Sequence, residues 1–384
     1  MRVLVIHTCY QHEGGEDMVV DNEVKLLRDN GAEVELLLFS NSSNTLSKLL
    51  QLPFRWSSYR HTQARIKAFK PDVIHIHNLH YAGSPSVIYA AKRLKVPVVV
   101  TLHNYRLLCP SATLFHRGKP FTDSLNSQFP VKAVLKGVYR NSRILTAWIS
   151  ISMVFHRWLG TWGMPDRYIS LSAYTKELFL ASHYRHIADK LIVKPNFCYD
   201  SPLTVHINKH FYLYVGRLSE EKGINVLLNA FAGSAYTLKI VGDGPLKEEV
   251  QAYAARCPNI QYQGLLDRGQ IDQLMHTATA LIFPSLWYET FGMVVIEAFA
   301  TGTPVIASAL GPIKYLVEDG VDGLQFIPGD AQDLRQKINY YGALSADQQK
   351  MYRQRARQKY EQRFSPSINA QQLISIYEGI VNRQ

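Results

Sequence analysis

At 384 residues the chain is too long for one ordinary hydrophobic core, so two domains are expected. Hydrophobic residues make up 47% and charged residues 19%, which excludes a disordered chain; no stretch approaches the ~20 apolar residues of a membrane span, and no solenoid repeat or low-complexity tract is visible. The formal charge of +11 is lopsided: residues 1–200 hold 25 Lys and Arg against 14 acids, residues 201–384 hold 17 against 17, so an anionic partner (membrane surface, nucleic acid or phosphorylated substrate) belongs with the first half.

In chain order, residues 2–8 read as a buried strand, too short in its apolar run for a signal peptide. Residues 11–17 form a glycine turn around Gly14 and Gly15, residues 18–30 a helix stopped by Gly31, and residues 34–39 a second strand. This strand–turn–helix–strand unit is of Rossmann type but lacks G-x-G-x-x-G, which argues against a dinucleotide site; the residues themselves ask no more of Gly14-Gly15 than a tight turn. Residues 41–70 are polar, basic and dotted with Phe54, Trp56, Tyr59 and Phe69. Strands follow at 71–77 and 96–103. The first places His75 and His77 on one face, and a metal pair is the lesser reading because no carboxylate or cysteine stands at ligand spacing. Residues 104–163 mix basic and aromatic side chains, with helix expected over about 131–159. A strand at 167–171 and a helix at 173–182 capped by Ser172 come next. Cys9, Cys109, Cys198 and Cys257 form no C-x-x-C pair and read as reduced thiols of a cytosolic protein.

A strand at 191–195 ends the first domain, and residues 196–210 form the linker. The pattern then restarts, with strands at 211–215, 237–241, 260–263, 280–283, 305–307 and 324–327 and helices between them. After residues 364–366 a last helix carries Ile374, Ile376, Tyr377 and Ile380. Strands alternating with helices in both halves mean two α/β domains with mainly parallel sheets. At the first strand end of this half, Arg217 and Lys222 stand five residues apart around a turn, in V-G-R-L-S-E-E-K-G. Two cations beside a helix start suit a diphosphate; pairing with Glu220 and Glu221 on a plain surface is the alternative. Gly242, Asp243 and Gly244 form a strand-to-helix turn. Residues 285–308 read as loop, helix and strand, with Glu289 at the helix mouth, Gly292 opening the helix and Glu297 one turn inside it on the stripe of Met293 and Val294. A helix N-terminus offers unpaired N–H groups to phosphate or sugar oxygens. A carboxylate on an apolar stripe needs a hydrogen-bonding partner, such as a sugar hydroxyl or a neighbouring loop.

The run E-T-F-G followed by E-A and G-T-P-V-I-A-S, with seven residues between Glu289 and Glu297, resembles the signature of retaining glycosyltransferases of the GT-B fold, in particular family 4 (glycosyltransferase group 1). P-D-V-I-H-I-H-N and T-L-H-N-Y-R-L-L-C-P in the first half fit the same pattern, so the resemblance covers nearly the whole chain. It implies two Rossmann-like domains facing across a cleft. Residues 1–195 would bind the acceptor, residues 196–364 the nucleotide-sugar donor, and residues 365–384 would cross back to the first domain. It further implies that Gly14 and Gly15 approach the donor pyrophosphate, that Arg217 and Lys222 grip the diphosphate, and that the Gly242–Gly244 turn lies near the nucleotide. The segment ending at Leu265 would read the base through its backbone. Glu289 would meet a donor-sugar hydroxyl, Thr290, Phe291, Gly292, Met293 and Val294 would line the donor at the helix mouth, and Glu297 would hold the ribose. His103 would contact the donor sugar at the reacting centre. One departure stands out: relatives carry N-G where Pro195-Asn196-Phe197 stands here.

The expectation is a retaining hexosyltransferase that uses a nucleotide sugar, such as UDP-glucose, to build a surface polysaccharide or lipid-linked glycan. Its partners are then the donor and a glycan or lipid-diphosphate acceptor. Because no D-x-D pair occurs, leaving-group stabilisation is expected to need no metal. A GT-B UDP-N-acetylhexosamine epimerase and a non-catalytic nucleotide-sugar-binding protein are the alternatives, and no nucleic-acid motif supports the charge-based third. The basic, aromatic-rich segments 41–70 and 132–157 lead to an expectation of peripheral binding to anionic lipid at the inner face of the cytoplasmic membrane.

Overall fold

The structure is a computed structural model that describes residues 1–9, 15–41, 53–201 and 210–382. Gly14, part of the basic segment 41–70 and most of the 196–210 linker lie outside the described residues.

The chain divides into two compact units. One comprises Met1–Leu114, Phe121–Asn196 and Pro366–Gln384; the other comprises Phe115–Pro120 and Phe197–Ser365. The short hairpin Phe115–Pro120 therefore belongs with the second half of the sequence, and the last helix, Pro366–Val381, with the first. No spacing in the sequence marks that hairpin, because its two strands are only two residues each.

In the first unit β1 (Arg2–Cys9), β2 (Glu33–Ser40), β3 (Val73–Ile76) and β4 (Val98–Leu102) precede the hairpin strands β5 (Phe115–His116) and β6 (Lys119–Pro120); β7 (Arg167–Ser170) and β8 (Leu191–Val193) follow. Six of these make one sheet in the order β2-β1-β3-β4-β7-β8, every pair parallel. Parallel strands are covered on both faces, which is why β3 and β4 are buried at every position. The helix Gly15–Asp29 begins three residues before the 18–30 expectation, with Gly15 exposed as its first residue.

Residues 131–159 hold two helices, Val131–Lys136 and Arg143–Trp158, rather than one. Gly137, Arg140 and Asn141 all adopt left-handed backbone, which a helix interior excludes, and the Ser142 hydroxyl accepts from Leu145 N–H at 3.3 Å to cap the second helix.

The second unit contains β9 (Phe211–Val215), β10 (Thr237–Val241), β11 (Ile260–Gly264), β12 (Ala280–Phe283), β13 (Val305–Ser308) and β14 (Gly323–Phe326). Their order is β11-β10-β9-β12-β13-β14, again all parallel. Tyr212, Leu227, Phe231, Ile240, Ile282 and Ile338 pack the core between this sheet and its helices.

Candidate functional site

In an open parallel sheet, ligands gather beyond the carboxyl ends of the strands where the strand order reverses. In the second unit that point lies between β9 and β12, and both strands run directly into the residues singled out above. After β9 come Gly216 and Arg217, then a 3-10 turn Glu220–Lys222 and the helix Ile224–Phe231. After β10 come Gly242, Asp243 and Gly244.

These loops meet backbone to backbone. Leu218 N–H donates to Asp243 O at 2.9 Å, Leu246 N–H to Leu218 O at 2.9 Å, and Gly242 N–H to Gly264 O at 2.8 Å. A Cβ on Gly242 would lie 1.9 Å from Gly216 O. One on Gly223, at φ +72°, would lie 1.9 Å from Pro284 O. Both positions accept glycine alone, since any side chain would force the loops apart.

The charges are arranged on that frame. Lys222 Nζ donates to Glu289 Oε1 at 2.6 Å, and the same oxygen accepts from Ser285 Oγ at 2.9 Å. The ammonium also lies 5.1 Å from the Trp287 ring centroid. Lys222 thus pairs with Glu289 and not with Glu220 or Glu221; Glu221 accepts from Ser219 Oγ at 2.6 Å. Arg217 is exposed and has no ion pair among the described residues. The Met293–Ala300 helix starts at Gly292, which holds φ +110°. Thr290, Met293 and Val294 are half-buried, Leu265 is exposed, and the Asp243 carboxylate accepts from Gly244 N–H at 2.7 Å. The Phe291 ring is buried 6.0 Å from that of Phe364, so its side chain is a core group and only its backbone is left for a ligand.

Glu297 answers the question its apolar stripe raised. Arg268 Nη1 donates to its Oε1 at 2.6 Å, and Arg268 Nε lies 3.3 Å from Asp272. Burial alone would lower the Arg268 pKa, but Glu297 and Asp272 raise it. Arg268 lies 29 residues before Glu297, so no motif pointed to it.

In the first unit His103 directly follows β4, and His103 Nε2 lies 2.8 Å from His77 Nδ1. Behind that contact is a buried polar cluster. His77 Nε2 and His75 Nδ1 lie 3.1 and 2.9 Å from Glu23 Oε1, in ion-pair contacts off the line of a good hydrogen bond; Lys194 Nζ lies 3.3 Å from Glu23 Oε2. His75 also meets the Tyr377 hydroxyl at 2.6 Å and the Thr101 hydroxyl at 2.7 Å. Burial would raise the Glu23 pKa, but Lys194 and the two histidines hold it well below the usual carboxylate range. Burial lowers His77 to about 4, and burial with His77 beside it pushes His103 well down, so both rings are neutral near pH 7.

A carboxylate favours the N–H tautomer on the nitrogen that faces it. His77 then carries its proton on Nε2 and accepts at Nδ1 from His103 Nε2–H, which leaves the lone pair on His103 Nδ1. The sequence reading found no carboxylate near His75 and His77. The structure brings Glu23 there from the helix Gly15–Asp29, and the three ligand atoms lie within 4.8 Å of one another. Lys194, 2% exposed, already supplies the positive charge a metal would bring. We therefore read the cluster as a neutral proton network that orients His103.

Comparison with known proteins covers both units. A family model described as Glycosyl transferases group 1 matches residues 203–359, and one described as Glycosyltransferase Family 4 matches residues 14–198. An uncharacterized glycosyltransferase of Methanocaldococcus jannaschii is 25% identical over 353 residues, 88% of this chain and 87% of that protein. The D-rhamnosyltransferase WbpZ of Pseudomonas aeruginosa is 32% identical over 163 residues, 41% of this chain and 42% of its own. The crystal structure of Anabaena HepE in complex with UDP shares the fold, with a TM-score of 0.70, 20% identity, and coverage of 99% of this chain and 100% of that one.

Proposed function

The chain belongs to the group 1 glycosyltransferases of GT-B fold, and on that premise we propose that it is a retaining hexosyltransferase. In this reading it moves a hexose from a nucleotide sugar, such as UDP-glucose, to a glycan or lipid-linked acceptor in surface polysaccharide biosynthesis. The observation that carries the reading is the Lys222–Glu289 pair beyond β9 and β12, where the strand order reverses, with Arg217 exposed on the loop that follows β9. The HepE fold relative was also crystallised with UDP-glucose, which supports a uridine diphosphate donor.

The chemistry follows from charge. As the sugar–phosphate bond breaks, negative charge grows on the departing diphosphate, and cations fixed beforehand stabilise it most. Lys222 has three N–H donors and gives one to Glu289, leaving two for phosphate oxygens. Arg217 offers a planar fork. Glu289 takes a donor-sugar hydroxyl and Glu297 the ribose hydroxyls, while His103 contacts the donor sugar. The leaving phosphate accepts the proton of the acceptor hydroxyl. The first unit is then the acceptor domain and the second the donor domain. With two cations at the diphosphate, transfer needs no metal.

Release of nucleoside diphosphate from a panel of nucleotide sugars, with and without acceptor lipid and in excess EDTA, tests this reading. Acceptor-dependent release in EDTA is expected; loss that Mn²⁺ restores, or release of an epimerised sugar, would reject it.

The first unit also bears on where the enzyme works. The helix Arg143–Trp158 exposes Ile144 at 82% and Trp158 at 80%, beside basic Arg143 and the nearby Lys132 and Lys136, and no helix among the described residues is long and apolar enough to cross a membrane. Each basic residue near an anionic surface contributes about 1 kcal/mol, and tryptophan favours the interface. Peripheral, salt-sensitive binding at the inner face of the cytoplasmic membrane is the reading, and equal flotation on neutral and anionic vesicles would reject it.

A further inference from the structure

The first unit holds a second feature that the donor chemistry leaves unused. A recess with about 820 Å³ of open space, part of it continuous with solvent, lies beside His103. Its walls are mostly apolar: Val100 from β4, Leu107, and Ile149 and Met153 from the helix Arg143–Trp158. Three other lining residues each carry a buried polar atom with no hydrogen-bond partner among the described residues: His80 Nε2, Arg106 Nε and Trp162 Nε1. Such atoms occur elsewhere among the described residues too, but these three belong to residues that line one recess, where a ligand can supply their partners.

The charge beside the recess narrows the ligand's chemistry. The guanidinium carbons of Arg106 and Arg140 lie 5.0 and 5.6 Å from the centroid of the same Tyr139 ring. Neither has a carboxylate partner among the described residues. Asp123, the only acid in the sequence between Asp72 and Asp166, lies instead 3.7 and 3.9 Å from Lys132 and Lys136. Arg140 is exposed, so solvent screens part of the repulsion between the two guanidiniums, and an anion shared between them would be favoured by both. Burial and these two arginines also keep the His80 ring neutral, so the field at this end of the recess favours an anion.

The apolar walls narrow it again. Asn78, Asn104 and Ser152 also line the recess, but along Val100, Leu107, Ile149 and Met153 the hydroxyls of a hexose would find no partner. An alkyl chain has no such need. The helix that contributes Ile149 and Met153 to the recess also exposes Ile144, Ile151, Phe155 and Trp158 on its outer side, so it is apolar both toward the recess and toward solvent. That is the pattern of a helix lying against lipid.

We propose that this recess seats an amphipathic phosphate ester, with its apolar chain along Val100, Leu107, Ile149 and Met153 and its phosphate held by Arg106 and Arg140. His80 Nε2 and Trp162 Nε1 complete the hydrogen bonds to its oxygens. Calling this ligand the acceptor rests on the glycosyltransferase reading above; its binding does not.

The test titrates the whole chain with decyl phosphate, decanol and glucose 1-phosphate below their aggregation limits, and with UDP in parallel. Decyl phosphate is expected to bind saturably, at least about tenfold tighter than either decanol or glucose 1-phosphate. Arg106→Gln should erase the preference for decyl phosphate over decanol. Met153→Trp should fill the recess and weaken decyl phosphate about tenfold or more. Circular dichroism checks that each variant keeps its fold, and Arg106→Gln stands alone if Met153→Trp does not. Equal binding of decanol and decyl phosphate, or a tighter glucose 1-phosphate, would overturn the proposal. So would a chain that binds UDP but not decyl phosphate. A chain that binds decyl phosphate but not UDP would sink the donor reading and leave this one standing.

Discussion

In the second unit Glu289 and Glu297 each meet a cation whose own side chain reaches solvent, Lys222 at 25% exposure and Arg268 at 47%. In the first unit Glu23, Lys194, His75 and His77 are all at 4% or less. The half-open pairs trade one solvated partner for another with little change in free energy, so a diphosphate or a ribose hydroxyl can join them. The closed cluster has no water to fall back on. Removing one member strands the others, so it acts as a fixed frame for His103. The same residue types therefore form half-open pairs in one unit and a sealed frame in the other, and the difference lies in what stands behind them.

The sharpest break of this comparison is Glu23→Gln, which leaves the Lys194 ammonium buried without its counter-charge. We expect a loss of about 3–5 kcal/mol in denaturant unfolding, largely recovered by Lys194→Met in the same chain. A loss below about 1 kcal/mol would make the cluster as forgiving as the second unit's pairs.

Acid should separate the units next. His77 titrates at about 4 in the fold against 6.5 for the free ring. Between those values the unfolded chain binds the extra proton, so stability falls as pH drops from 6.5 toward 4, by on the order of 3 kcal/mol from this ring. Glu23 acts lower still, because its depressed carboxylate contributes stability that is lost only as pH falls through its own folded value. The groups facing His77 are Glu23, His75, His103 and His7. Amide exchange, corrected for intrinsic rates, should show β3 losing more protection than β9 between pH 7 and pH 5. Equal losses in the two strands would contradict the contrast.

Lys222→Ala should act on binding and leave the fold intact. It removes one charge-assisted contact, about 1.5–3 kcal/mol, or about 10- to 150-fold in UDP affinity or turnover. Wild-type UDP affinity in that variant would remove Lys222 from the donor site.

The smallest expected effect divides the two carboxylates. Glu297→Gln should weaken UDP by about 2- to 10-fold, while Glu289→Gln spares UDP and slows transfer. Calorimetry with UDP on both variants decides, and equal losses would mean the roles are misassigned.

Local signals account for most of what could be read from residues alone. The alternation of strands and helices, the cations of the 217–222 turn and the Glu289–Glu297 helix each lie within a couple of dozen residues, where periodicity and turn chemistry act. The cluster around Glu23 joins residues 23, 75, 77, 101, 194 and 377, and no spacing rule connects them. His75 and His77 were visible as an alternating pair, but their carboxylate came from a helix about 50 residues earlier, so the partner went unseen. Arg268 escaped for the same reason. The break at Gly137 to Asn141 was missed because apolar and aromatic residues continue across it, and only the left-handed backbone at three positions reveals it.

The hydroxyl that meets His75 belongs to Tyr377 in the helix Pro366–Val381, which follows the whole second unit in sequence. A ribosome finishes β1 to β8 long before it reaches that residue, and in the interval all of the second unit except its hairpin Phe115–Pro120 is made. The first unit is thus begun first and closed last. A chain stopped after residue 365 would carry a complete second unit beside a first unit whose buried imidazole lacks its tyrosine. Synthesis of the helix Pro366–Val381, and not the order of the strands, marks when this protein's earliest domain becomes whole.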